Sequence, residues 1–124
     1  MSYPTLSIII ISYNTKELLE QCLESIINNI DNKDKSLSYE IIVVDNNSKD
    51  DSVKMLKNLK FKIIVNNDNV GFAKANNQGI KKSRGEYLLF LNPDTVVPKN
   101  TIPFILNYMK KHPQVGVATC RVEL

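Results

Sequence analysis

Short runs of apolar, mostly β-branched residues alternate with segments in which apolar residues recur at helical spacing, and this alternation constrains the fold most. Four runs span residues 6–12, 39–45, 61–65 and 86–91, and a fifth spans 115–122. Runs this apolar predict strands buried on both faces of a parallel sheet, with 86–91 as a central strand. The β-α order therefore predicts an α/β fold with three α/β/α layers, a mostly parallel sheet and right-handed crossovers.

Helices are predicted between these strands. The first is predicted to start after Asn14 as N-cap, because Glu17 then stands where a capping box requires an acidic residue. Others are predicted around 53–59, from 72 to near 85, and over 101–112. The first helix carries one apolar stripe that is predicted to be buried. Its members are Leu18, Leu19, Cys22, Leu23, Ile26 and Ile27.

Length and composition are those of an ordinary single-domain protein. The 124 residues form one predicted domain, 1–124, in which the polar stretch 28–38 is a predicted loop. The net charge of +3 is small and the lysines are dispersed, so no nucleic-acid partner is expected. Cys22 and Cys120 are predicted to be buried thiols in a reducing compartment. The apolar run 6–11 is too short to span a bilayer, so we expect a cytoplasmic protein, with a peripheral membrane role left open.

Polar residues follow the predicted strands at the edge where the carboxyl ends of a parallel sheet meet and where open α/β sheets bind ligands. No residue of these segments is basic, which favours hydrogen bonding and a bound Mg²⁺ or Mn²⁺ over capture of phosphate by charge alone. Asp94 offers such a cation a carboxylate, whereas Asn92 offers at most a carbonyl oxygen or a water contact. The alternative is that Asn-Pro-Asp-Thr is simply a turn. The segments are Ser12-Tyr13-Asn14, Asp45-Asn46-Asn47-Ser48, Asn66–Gly71 and Asn92-Pro93-Asp94.

Several residues at this edge have two interpretations. Asp45 either caps the next helix or accepts hydrogen bonds from a pyrimidine ring N–H or a ribose hydroxyl. Gly71 allows either a close backbone approach or a positive φ. Asparagine is unusual in a packed interior, so Asn76 either lines the site or makes an ordinary cap or exposed surface contact. Tyr13 either belongs to the core or stacks on a base. His112 is expected to interact with a helix dipole and not to be a catalyst.

Four motifs occur in order along the chain: Ser7–Asn14, Glu40–Ser48, Asn69–Gly79 and Leu89–Asp94. Together they resemble the family 2 glycosyltransferases of the GT-A type and, within them, bacterial rhamnosyltransferases. The resemblance implies a Rossmann-like GT-A nucleotide-diphospho-sugar transferase fold. It also implies that residues 1–124 are the N-terminal, nucleotide-sugar-binding part of a longer glycosyltransferase.

The resemblance further implies a metal-assisted, inverting transfer of a hexosyl or rhamnosyl group from a UDP- or dTDP-sugar to a glycan or lipid-linked acceptor in cell-surface polysaccharide synthesis. Asp94 stands in the family's Asp-X-Asp position and is implied to hold the Mg²⁺ or Mn²⁺ that bridges the diphosphate. The residues implied to contact the nucleotide or sugar are Ser12, Tyr13, Asn14, Asp45, Asn47, Ser48, Asn69, Gly71, Asn76, Asn92 and Asp94.

The chain departs from the family pattern in two places. Asn92 replaces the first Asp of the motif, which leaves a single carboxylate for the cation. The catalytic base that the family carries beyond this motif has no convincing counterpart in 96–124, where Glu123 is a weak candidate, so no catalytic residue is assigned. A non-catalytic nucleotide-sugar-binding module of the same fold is therefore the alternative.

Two other functional classes lack their sequence features. A receiver-like signalling domain requires an acidic pair after the first strand and a phosphoacceptor Asp after the third, and both are absent from the sequence. A dinucleotide-dependent oxidoreductase requires a Gly-X-Gly-X-X-Gly motif directly after a strand, and no predicted strand is followed by one.

Overall fold

A computed structural model describes residues 2–30, 37–59 and 61–123, and most of the predicted loop 28–38 lies outside them. Within these ranges, the elements are β1 Leu6–Ser12, α1 Lys16–Asn29, β2 Tyr39–Asp45, α2 Ser52–Lys57, β3 Lys62–Val65, α3 Phe72–Lys82, β4 Tyr87–Leu91 and α4 Thr101–Lys111. The four strands pair in parallel in the order β3-β2-β1-β4. The α/β prediction with a parallel sheet is confirmed.

The centre of the sheet is β1, whose residues Ile8, Ile9 and Ile10 are fully buried. Successive side chains of a strand point to opposite faces. Ile8 and Ile10 belong to the core that packs against α1, α2 and the start of α4. Ile9 meets α3 on the other face, where a Cβ at Gly79 would lie 2.6 Å from its Cγ2 atom. Helices therefore cover both faces of β1, which gives the three predicted layers.

Glu40 ties together the amino ends of the strands. Its Oε1 accepts hydrogen bonds from Ser7 Oγ at 2.6 Å and from the Arg84 N–H at 2.7 Å. Its Oε2 pairs with Lys62 Nζ at 2.5 Å. Ser7 Oγ in turn accepts a bond from the Gly85 N–H at 2.8 Å. Burial alone favours the neutral acid, but the bonds from Lys62, Ser7 and Arg84 outweigh it and hold the pKa of Glu40 below its ordinary 4.5.

The strand at 86–91 was predicted to be central, but β4 forms an edge of the described sheet. Leu89 and Leu91 pack against the core, while Leu88 is 40% and Phe90 is 48% exposed. The prediction was wrong because β1 is the one described strand that pairs with β4, and Leu88 and Phe90 are exposed because α3 packs over β1 and β2. An apolar run alone does not show whether both faces have a partner.

The predicted fifth strand at 115–122 is not a strand in the described part of the chain. The segment pairs with none of the strands β1 to β4, so it lacks the ladder hydrogen bonds of a strand. Val117 is 90% exposed, and Cys120, which was predicted to be buried, is also exposed. Cys22 is buried, as predicted.

Helix boundaries and faces also differ from the sequence predictions. The N-cap of α1 is Thr15, not Asn14, whose φ of 53° places it in the left-handed region. The buried stripe of α1 excludes Leu18 and Ile27, which are exposed. In the residues that the structure describes, no helix combines the length and apolar character needed to cross a bilayer.

Replacing Gly85 by Ala tests the close contact at the amino end of the sheet. The added Cβ would lie 2.4 Å from the Ser7 backbone nitrogen, which cannot move without disturbing β1. We expect Gly85→Ala to lower the free energy of unfolding by about 2 kcal/mol, measured by urea denaturation. Gly116→Ala, where a Cβ meets nothing within 4 Å, is the control and should change it by less than about 0.5 kcal/mol. Equal effects of the two substitutions would contradict this packing.

The Glu40 network predicts a pH-dependent contribution to stability. Because the folded-state pKa is lowered, the contribution is fully present above the ordinary value of 4.5 and disappears as the pH falls through the lower folded value. We expect Glu40→Gln to lower the free energy of unfolding by about 1 kcal/mol at pH 7 and to have less effect as the pH falls below 4. Glu86→Gln, which alters an exposed carboxylate next to β4, should show neither effect. A pH-independent Glu40→Gln effect would refute the assignment.

Candidate functional site

The carboxyl ends of the strands lie side by side, as the parallel register requires. Ser12 is paired with Asp45, Asp45 with Val65, and Ile10 with Leu91. Of the residues predicted for the site, Ser12 and Asp45 end β1 and β2, Asn76 lies one turn into α3, and the others lie in the loops that follow the strands. The topology thus brings the predicted residues to one edge of the sheet.

Asn14 joins the first two loops of this edge. Its backbone N–H donates to Ser48 Oγ at 2.9 Å, and its side-chain Oδ1 accepts from the Lys49 N–H at 2.7 Å. Asn14 and Asn47 both have a positive φ, of 53° and 67°, which asparagine tolerates better than most residues. Asn14 is therefore a link between loops and not the predicted helix cap. Tyr13 beside it is half exposed, so its ring is not a core residue.

Two other site residues on β1 and β2 are fully buried. The Ser12 hydroxyl lies 3.3 Å from Thr15 Oγ1, and the Ser12 carbonyl accepts from the Asn46 N–H at 2.9 Å. Asp45 accepts hydrogen bonds from Ser48 on both oxygens, from the N–H at 2.8 Å and from Oγ at 2.6 Å. Asp45 thus shapes the turn after β2 and does not cap α2. Each of its oxygens has a second lone pair, but the side chain has no exposed surface in this structure.

Asp50 joins the starts of α1 and α2 at this edge, a role that the sequence analysis did not predict. Its Oδ2 accepts from the Lys16 N–H at 3.1 Å, at the start of α1. Its Oδ1 accepts from the Ser52 N–H at 3.0 Å and from the Ser52 hydroxyl, at the start of α2. Its slight burial favours the neutral acid, but the bonds from Ser52 and Lys16 dominate and lower the pKa of Asp50. The sequence signal is an Asx turn, in which an aspartate side chain accepts from the backbone N–H two residues further on.

The third loop leads into α3 through a glycine that the backbone requires. Gly71 has φ 87° and is the N-cap residue of α3, whereas a Cβ there would meet nothing within 4 Å. The positive φ, and not crowding, therefore selects glycine. The Gly71 N–H donates to Asn69 Oδ1 at 3.0 Å, and Asn76 Nδ2 donates to the Phe72 carbonyl at 3.1 Å. In both α1 and α3, the N-cap residue makes no side-chain hydrogen bond to the N–H groups of its helix.

The fourth loop is a turn that presents Asp94 to solvent. The Asn92 carbonyl accepts from the Thr95 N–H at 3.2 Å and from Thr95 Oγ1 at 2.7 Å. Buried Cys22 lies beneath this turn, with its Sγ 3.8 Å from both the Asn92 oxygen and Thr95 Oγ1. Burial is the largest cause of a raised pKa of the Cys22 thiol, and the nearby Asp94 adds to it. Asn92–Thr95 is therefore a turn, and this is compatible with a carboxylate that is available to a cation, because the turn exposes Asp94.

The turn is attached to α1 further along the chain. The Val97 N–H donates to Ser25 Oγ at 2.9 Å, and Asn29 Nδ2 donates to the Val97 carbonyl at 2.8 Å. Both side chains belong to α1, for which the sequence analysis predicted the apolar stripe alone. Positions such as Ser25 become recognisable as turn supports only when the partner loop is known.

Two grooves of the described surface lie away from this edge. One, of about 760 Å³, lies between α4 and residues 115–121. The other, of about 580 Å³, lies at the amino end of β3, beside Lys62 and Arg84. The candidate site is instead an open, polar edge, and its chemistry rests on hydrogen-bonding groups and on Asp94.

The sequence profile described as Glycosyl transferase family 2 matches residues 7–123 of this chain, nearly its whole length. The chain belongs to glycosyl transferase family 2. The resemblance to the family 2 glycosyltransferases is thereby confirmed.

Curated relatives of this chain are named for the synthesis or glycosylation of polymers. It is 31% identical over 121 residues to the poly-beta-1,6-N-acetyl-D-glucosamine synthase of Staphylococcus epidermidis, a match that covers 92% of this chain and 27% of the relative. It is 34% identical over 113 residues to the poly(ribitol-phosphate) beta-glucosyltransferase of Bacillus spizizenii, covering 86% of this chain and 17% of the relative. The chain thus spans less than a third of the length of these relatives.

Solved structures confirm the GT-A fold for this family 2 chain. Staphylococcus aureus TarS 1–349 in complex with UDP-GlcNAc superposes with a TM-score of 0.76 at 24% identity, over 88% of this chain and 32% of that one. The mannosyltransferase PcManGT from Pyrobaculum calidifontis, in complex with GDP-Man and Mn²⁺, gives a TM-score of 0.76 at 22% identity, over 88% and 33%. At these identities the likeness shows the fold.

Of the two carboxylates among the residues predicted for the site, Asp45 is buried and Asp94 is exposed. Among the described residues, no three His, Cys, Asp or Glu side chains converge in an arrangement suited to a metal ion. Mg²⁺ takes one or two carboxylates and completes its octahedron with waters and substrate phosphates, so Asp94 suits a cation that arrives with a diphosphate. The residues present therefore fit a shared cation and not an all-protein cage.

Proposed function

We propose that this chain forms the donor-binding part of a glycosyltransferase that transfers a sugar from a nucleoside-diphosphate sugar to a glycan or lipid-linked acceptor in cell-surface polysaccharide synthesis. The observation that carries the proposal is that four loops bring hydrogen-bonding residues to one sheet edge, with Asp94 exposed on the outermost turn. Relatives named for polysaccharide and teichoic acid synthesis support the substrate class. A cytoplasmic location, at the inner face of the membrane, is part of the proposal.

In this proposal the residues of the edge divide into two groups. Half-exposed Tyr13 and the turn at Asn47 and Ser48 meet the base and ribose, and fully buried Asp45 reaches them only when this turn moves aside. The turn at Asn69–Gly71 and the first turns of α3, including Asn76, line the diphosphate and sugar. The N–H groups at the start of α3 have no side-chain cap, which suits them to face an anion.

Asp94 holds Mg²⁺ or Mn²⁺ in this proposal, and Asn92 contributes an amide oxygen or orients a bound water. When bound, the cation neutralises negative charge on the nucleoside diphosphate that leaves the sugar. A neighbour of the same fold, named for its complex with GDP-Man and Mn²⁺, supports a divalent cation. Neighbours named for UDP and UDP-GlcNAc complexes favour a uridine nucleotide, and a rhamnosyl donor on dTDP stays a prediction from the sequence.

A non-catalytic nucleotide-sugar-binding module is the second candidate, and one observation favours it. An inverting transfer requires a base near the acceptor hydroxyl, and the weak candidate Glu123 lies in the exposed segment after α4. Addition of acceptor to a longer chain that contains this domain separates the two candidates. An enzyme would then release nucleoside diphosphate, whereas a binding module would not.

The proposal predicts a nucleotide-dependent and metal-dependent thermal shift of the 124-residue chain. We expect UDP or dTDP with Mn²⁺, each tested at a range of concentrations beside GDP, to stabilise it by about 2.7 kcal/mol at a hundredfold excess over the dissociation constant. Asp94→Asn removes the charge and keeps the shape, so we expect it to abolish the part of the shift that depends on Mn²⁺.

The matched control is Glu24→Gln, which neutralises an exposed carboxylate on α1 and should keep the full shift. Absence of stabilisation by every nucleoside diphosphate tested would contradict donor binding. A Mn²⁺-dependent shift that survives in Asp94→Asn would contradict the metal assignment alone.

A further inference from the structure

Three amide side chains form a hydrogen-bonded chain beneath the third loop of the site. Asn66 and Gln78 bond reciprocally: Asn66 Nδ2 donates to Gln78 Oε1 at 2.8 Å, and Gln78 Nε2 donates to Asn66 Oδ1 at 2.9 Å. Asn66 Nδ2 also donates to Asn46 Oδ1 at 3.0 Å. Asn46 Nδ2 donates to the Gly71 carbonyl at 3.3 Å. We call Asn46, Asn66 and Gln78 the amide relay.

The relay is anchored to the backbone of the sheet. The Asn46 N–H donates to the Ser12 carbonyl and the Asn66 N–H to the Asp45 carbonyl, both at 2.9 Å. Asn46 is 3% exposed, so its amide group has little access to water and depends on its protein partners. The relay therefore connects the ends of β1, β2 and β3 to α3 through groups whose positions the strands determine.

The other end of the relay is the Gly71 carbonyl, which is also the first acceptor of α3. That oxygen receives the Ala75 N–H at 3.2 Å as well as Asn46 Nδ2. Two further side-chain contacts of this turn are local, from the Asn69 N–H to Asp68 Oδ1 at 2.8 Å and from the Gly71 N–H to Asn69 Oδ1 at 3.0 Å. Contact with the sheet thus reaches the Asn69–Gly71 turn through Asn46.

We infer that Asn46, Asn66 and Gln78 are positioning residues, which hold the Asn69–Gly71 turn and the start of α3 in place for the nucleotide sugar. The inference rests on the proposed donor-binding function. None of the three side chains needs to touch the ligand. A network in which every amide has its partners restricts a loop more strongly than separate contacts, and an incompletely bonded one loses that restriction.

Gln78→Glu breaks the relay by exchanging one NH₂ group for an oxygen. The carboxylate still accepts from Asn66 Nδ2, but it has no proton to donate to Asn66 Oδ1, so two oxygens face each other. The matched control is Asn77→Asp, which makes the same exchange on the adjacent, exposed residue of α3. The two variants have the same net charge, so they differ in the relay and not in overall electrostatics.

Two measurements on the 124-residue chain test the inference at a temperature where every variant is folded. The first is the dissociation constant of UDP with Mn²⁺ by calorimetry, which a purely global loss of stability would not change. We expect it to rise about tenfold in Gln78→Glu and less than twofold in Asn77→Asp. The second is hydrogen exchange of the Gly71 and Ala75 amides, which we expect to accelerate in Gln78→Glu while the Ile10 amide stays protected.

An unchanged dissociation constant in folded Gln78→Glu, or an equal loss in Asn77→Asp, would overturn the inference. If Gln78→Glu does not fold, Gln78→Met, which removes both bonds at similar length, takes its place with the same expectations. If the wild-type chain binds no nucleotide, the proposed function fails. The exchange measurement then decides alone whether the relay holds the turn: acceleration supports it and unchanged exchange refutes it.

Discussion

The parallel pairing of β1 with both β2 and β4 is the constraint on which the rest of the structure depends. Because Ile8, Ile9 and Ile10 are buried on both faces, β1 has to lie inside the sheet with helices above and below it. Parallel strands need a crossover helix between them, so every loop that leaves a carboxyl end appears on the same edge. Burial of apolar strands thus gathers the polar loops that form the site.

Several hydrogen bonds at this edge join one loop to another or to a helix. Asn14 joins the first loop to the second, the amide relay joins the second to the third, and Ser25 and Asn29 attach the fourth to α1. The groups left exposed are those with the chemistry for a nucleotide sugar, namely Tyr13 and the turn that carries Asp94. The opposite edge is held by Glu40 and its partners. A site in which the supporting bonds are complete before a ligand arrives loses less conformational freedom on binding.

Sequence periodicity identified the four strands, the four helices and the edge at which the site residues meet, because each depends on local patterning. It did not identify the position of β4 in the sheet, because an apolar run contains no information about which neighbour covers it. It misassigned Asn14 as a helix cap. The actual partners of Asn14, Ser48 and Lys49, lie more than thirty residues away in the sequence, so local patterning does not detect them. The 115–122 segment has strand-like residues but no partner strand in the described sheet.

The same reasoning explains which site residues were accessible from sequence. Asp94 and Asp45 stand out as carboxylates directly after apolar runs. Asn46, Asp50 and Gln78 do not, since their roles arise from partners on other elements: Gly71 and Asn66 for the amides, and Lys16 for the carboxylate. The family resemblance added roles for the exposed residues, and the geometry added the residues that support them.

The most direct test of the account is a nuclear magnetic resonance titration of the isotopically labelled 124-residue chain with UDP and Mg²⁺. Backbone amide shifts report where the nucleotide binds without any assumption about turnover. The account predicts shifts confined to the four carboxyl-edge loops and the first turns of α3, at residues 12–15, 45–49, 66–76 and 92–95. Shifts centred on the groove at Lys62 and Arg84, or no shifts at saturating nucleotide, would contradict it.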